Sequence, residues 1–131
     1  MGKYDLTDRM KSRLKRVTPT EQELFFDLIT QLSPFCERHY ATNVPDYRLF
    51  KKFVFCILIP MIIEPTIRVY LRSDDIQLSS AVFHITQVDM TTSGRPGKMW
   101  VEFDVQANTE YVSESVRLVS YVASKNIELV S

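Results

Sequence analysis

The sequence predicts a single α+β domain. It is expected to hold an antiparallel sheet of four or five strands in a meander, packed by two N-terminal helices and one C-terminal helix. Three observations predict it. A capped helix with a broad apolar stripe opens the body, strand-like segments follow in one uninterrupted run, and a helical period returns near the C-terminus. The 131 residues fall within the span of one domain. Residues 1–17 read as a basic amphipathic arm and residues 18–131 as the α+β core.

In the arm, Leu6, Met10, Leu14 and Val17 recur at helical spacing, with arginines and lysines around them and Thr7 placed to cap the start. Such a narrow stripe docks on a larger body or on a partner, because a short helix alone is marginal in water. Thr18-Pro19-Thr20-Glu21 is the sharpest local signal. Thr18 and Glu21 form a capping box, and Pro19 takes the first helical position, where a missing N–H costs nothing. Leu24, Phe25, Leu28, Ile29 and Leu32 continue it as a core-facing helix that Pro34 ends.

From Thr42 the period changes. Tyr47 and Leu49, then Phe53 to Ile59, then Ile67, Val69 and Leu71 read as strands. Ala81 to Val88 is a fourth, with Phe83 and Ile85 on its apolar side. After the loop Thr91–Gly97, Met99, Val101, Phe103 and Val105 alternate with Trp100, Glu102 and Asp104, so the latter are expected on a solvated face. Asn108 or Thr109 caps a last helix carrying Val112, Val116, Val119 and Ala123.

These pieces, taken in order, resemble a bacterial and archaeal domain of unknown function often labelled "predicted transport protein". Thr18 to Phe25 with Leu28, Ile29 and Leu32 is similar to its first core helix. Tyr47, Phe53-Val54, Pro60 and Arg68-Val69-Tyr70-Leu71 are similar to its central strands, and Lys98 to Val105 with Tyr111-Val112 to its last strand and helix. The resemblance implies an accessory or recognition role beside restriction-endonuclease-like domains, with no established catalytic residue. The chain departs from that pattern before the last strand. Ser93-Gly94-Arg95-Pro96-Gly97 stands where the family has a Gly-His-Trp-Gly-type loop.

Net charge is zero, but residues 1–20 hold six bases against two acids, +4, and the remainder is −4. A basic arm on an acidic body points to an anionic partner. The leading reading is therefore a non-catalytic module that binds nucleic-acid phosphates. Its contacts would be Arg9, Lys11, Arg13, Lys15 and Arg16, with Arg48, Lys51, Lys52, Arg95 and Lys98. The competing reading is a protein-interaction or inhibitory module. It would dock a partner protein or a second copy through Leu6, Met10, Leu14 and Trp100.

Catalysis finds little to build on. Cys36 and His39 are spaced like half a ligand pair or a thiolate pair, and Glu102 and Asp104 share a strand face, but neither set is complete. No metal or cofactor is expected. The two cysteines are too few for a disulfide scaffold, and the opening residues lack a signal-peptide core. The longest apolar run, Phe53 to Ile63, is too short to span a bilayer, so a cytoplasmic location is expected.

Overall fold

The computed structural model describes residues 6–74, 76–89 and 99–129. The elements are α1 (Asp8–Leu14), α2 (Pro19–Leu32), β1 (Arg38–Ala41), β2 (Tyr47–Lys51), β3 (Phe53–Pro60), β4 (Ile67–Arg72), β5 (Thr86–Asp89), β6 (Met99–Val105) and α3 (Thr109–Leu129). The α+β class stands, with six strands among the described residues in place of four or five. β1 was missed because Arg-His-Tyr-Ala carries no apolar alternation, and the fourth predicted strand shrinks to β5.

All neighbours are antiparallel, in the order β1-β2-β3-β4-β6-β5. The meander therefore holds through β4 and then breaks. β6, with an apolar residue at every second position, takes the inner place beside β4. Short β5, whose Thr86 and Gln87 are exposed, takes the edge. A short polar strand is the safer edge, because its open N–H and C=O groups invite pairing.

The two faces of the sheet follow from the two-residue repeat of a strand. Tyr47, Leu49, Phe55, Cys56, Leu58, Ile67, Val69, Leu71, Val101, Phe103 and Val105 form the inner face. Phe55 and Cys56 are consecutive yet both point inward. Between β2 and β3, Leu49 pairs with Cys56 but Phe50 with Val54, which leaves Phe55 as an extra, bulged residue. Lys52 turns β2 back into β3 in one step, at φ 66°, a region that costs a side-chain-bearing residue some strain.

All three helices bury their apolar sides against that inner face. Thr18 accepts from the Glu21 N–H at 3.2 Å and Glu21 Oε1 accepts from the Thr18 N–H at 3.3 Å, so the capping box forms as predicted. Phe25, Leu28, Ile29 and Leu32 are fully buried, each contributing roughly 1.5–3 kcal/mol of hydrophobic stabilisation. From α3, Val112, Leu118, Val119, Val122 and Ala123 join them. α1 joins too. Met10, Leu14 and Val17 belong to the same core, so this helix is a packed element of the domain.

Candidate nucleic-acid interface

α1 is held at both ends. Thr7 accepts from the Met10 N–H and donates its hydroxyl to the Thr42 carbonyl at 3.1 Å, which fixes the helix start to the β1–β2 turn. Further along, Arg13 Nε donates to the Pro60 carbonyl at 2.6 Å. With Met10 and Leu14 pointing inward, about 100° per residue sends Arg9, Ser12, Arg13 and Arg16 down one flank. Lys11 and Lys15 fall on the other flank and are exposed.

The arginine flank faces an open pocket of about 420 Å³, closed by Pro45 of the β1–β2 turn and Ile62 of the β3–β4 turn. Asp8 is also in its lining. Arg13 has its pKa lowered, first by burial and then by repulsion from Arg16. The pocket thus holds positive charge that its own lining does not neutralise. An anion with several acceptor oxygens would relieve that repulsion, and guanidinium groups offer paired donors to it.

The other basic residues do not join this cluster. Arg48 is committed to the buried Asp46, at 3.0 Å. Lys51 and Lys52 lie at the far end of β2, about 13 Å along the strand from Arg48 to Lys52 at roughly 3.3 Å per residue. Arg95 and Lys98 fall outside the described residues. The basic surface expected as one patch is therefore split.

The docking residues of the competing reading point elsewhere as well. Met10 and Leu14 are core, and Leu6 packs against them. Trp100 is 1% exposed, in a small second cluster with Ile57, Val54, Ile59, Tyr70 and Val88. The alternation placed it correctly beside Glu102 and Asp104, but that face is partly apolar and encloses the indole. Among the described residues its Nε1–H has no hydrogen-bond partner.

The residues of the catalytic alternatives are engaged by their neighbours. Cys36 donates to the Ser33 carbonyl at 3.2 Å and burial pushes its thiol up, away from thiolate chemistry. His39 Nδ1 is 2.6 Å from the Tyr47 hydroxyl. Arg68 sits between Glu102 and Asp104, at 3.5 and 2.9 Å, and the hydrogen bond to Asp104 raises its pKa. The carboxylates that looked able to share a cation share an arginine. Among the described residues, no group of three or more His, Cys, Asp or Glu is placed to hold a metal, and no helix is long and apolar enough to cross a membrane.

No family model, curated protein or solved structure matches this chain. The site must be judged on its own chemistry.

One feature escaped the sequence reading. On the sheet face opposite the helices, Tyr40 of β1 stacks on Phe50 of β2, with ring centroids 5.0 Å apart and planes 21° from parallel. The Arg38 guanidinium lies over the Phe50 ring at 4.6 Å. The signal was present in Arg38-His39-Tyr40-Ala41, where long planar side chains alternate with inward ones, but β1 had to be recognised first.

Proposed function

We propose that this protein is a non-catalytic module that binds nucleic acid through its phosphates, with Arg9, Arg13 and Arg16 of α1 as the principal contacts. The observation that carries the reading is their convergence on one open pocket, where Arg13 and Arg16 repel each other. The packed state of α1 supports it further. A helix fixed through Met10, Leu14 and the Thr7 and Arg13 hydrogen bonds presents its cations at little entropic cost. The resemblance to a domain found beside restriction-endonuclease-like domains agrees with an accessory role in genome defence, and such a ligand suits a cytoplasmic protein.

Anisotropy of labelled duplex DNA, single-stranded DNA and RNA across a salt series tests this. Three phosphate contacts give a slope of log K against log salt of about −2 to −3. Replacing Arg9 and Arg16 by glutamine should flatten it by about 1.5. Absence of binding at low salt would contradict the proposal.

A further inference from the structure

The phosphate reading leaves open which form of nucleic acid is bound, and the opposite sheet face speaks to that. Arg38, Phe50 and Tyr40 form a layered stack of planar groups, guanidinium, phenyl and phenol. Phe50 is the ring both contacts share, and Tyr40 is 42% exposed. Stacked aromatic and arginine planes on an antiparallel sheet are the surface on which unpaired bases lie, because every base has a π-face. Bases within a duplex already stack on their neighbours and cannot use it.

The β1–β2 turn connects this platform to the basic pocket. Tyr40 is the last residue but one of β1, and the turn that follows contains Pro45, a wall of the pocket. Across the strand from Tyr40 stands Arg48, whose charge Asp46 balances, so Arg38 is the cation beside the rings. Nearby carboxylates make hydrogen bonds within the protein. Asp46 accepts from Arg48 and from the Thr42 hydroxyl, and Glu37 accepts from the Lys52 backbone N–H. The platform thus shows Tyr40 and the Arg38 side chain toward solvent.

We propose, resting on the phosphate reading, that the ligand is single-stranded nucleic acid. Its backbone is held by Arg9, Arg13 and Arg16, and a neighbouring base extends the stack on Tyr40. The platform presents no described side chain fixed for base-edge readout, so binding is tolerant of sequence.

The test compares oligodeoxythymidylate with a duplex of equal phosphate number, using the full chain and three variants. Wild type should bind the single strand at least several-fold more tightly. Tyr40→Leu and Tyr40→Ala should each lose roughly tenfold for the single strand, the scale of one stacked base, with duplex affinity and salt slope unchanged. Tyr40→Trp should keep its affinity, and its emission should be quenched on adding the oligonucleotide, above the steady signal of buried Trp100. Equal affinity for both ligands, or Tyr40 variants that bind the single strand like wild type, would overturn the single-strand inference and leave the phosphate pocket standing. A Tyr40→Trp protein that binds without quenching would overturn it even if the smaller variants fail to fold. Failure of wild type to bind either ligand would overturn both proposals together.

Discussion

Two open pockets of similar size carry opposite charge. The larger, about 480 Å³, lies between α2 and the start of α3, with Glu23, Asp27 and Asn108 in its lining. The smaller, about 420 Å³, faces the arginine flank of α1. In the first, two carboxylates stand with no cation in the lining. Asp27 accepts from the Gln31 amide at 3.0 Å, and the N-terminus of α3, with its partial positive charge, lines the same cavity. In the second, three arginines meet one aspartate, and two of the arginines repel. Size does not separate the pockets. The sign of the charge does, and under the proposal above it is the α1 pocket that suits an anionic partner.

The contrast can be broken most forcefully at the base of α1. Met10→Ala removes a fully buried side chain and should cost about 2–5 kcal/mol in urea unfolding. It should also weaken polyanion binding, because α1 loses its seat. A charge comparison is the sharper test. Arg9→Gln with Arg16→Gln should reduce affinity roughly 30-fold near 0.1 M salt, the scale of two lost phosphate contacts. Glu23→Gln with Asp27→Asn should change it less than about twofold, since exposed charges on another surface are screened over roughly 10 Å. Comparable losses in both titrations would erase the distinction between the pockets.

Smaller effects probe α2 and α3, the helices that bound the acidic pocket. Thr18→Ala removes the cap of α2 and should cost about 1 kcal/mol, seen as a lower melting temperature with binding intact. On α3, paired hydrogen bonds from Arg117 hold the Glu114 carboxyl below its ordinary range, and Ser80 adds a third. A carboxylate with a lowered folded-state pKa stabilises above its unfolded value, about 4.3, and that contribution fades as pH falls through the folded value. Wild type should therefore lose more melting temperature between pH 7 and pH 3 than Glu114→Gln does. The difference is expected to be small, because Arg117 is largely exposed.

Much of this architecture was legible from local chemistry. The Thr18–Glu21 box and the stripe behind it required only near neighbours in sequence, and so did the alternation of Ile67, Val69 and Leu71. Trp100 shows where such reading stops. A period of two assigns a residue to a face but says nothing of what encloses it, and the charges at Glu102 and Asp104 suggested water. The basic patch failed for a related reason. Arg48, Lys51 and Lys52 are close in sequence to one another, yet Asp46 neutralises the first and strand length carries the others away. Within α1 the split of Arg9, Arg13 and Arg16 from Lys11 and Lys15 was calculable once Met10 and Leu14 were known to face inward. That they do depends on the sheet, which no stretch of seven residues announces.

The most direct test of the α1 pocket is a map of backbone amide shifts as a short single-stranded oligonucleotide is added at low salt. The largest changes should centre on Arg9 to Arg16 and the β1–β2 turn, and spread to Tyr40 and Phe50. Changes centred on Glu23, Asp27 and the start of α3, or none at all, would contradict the account.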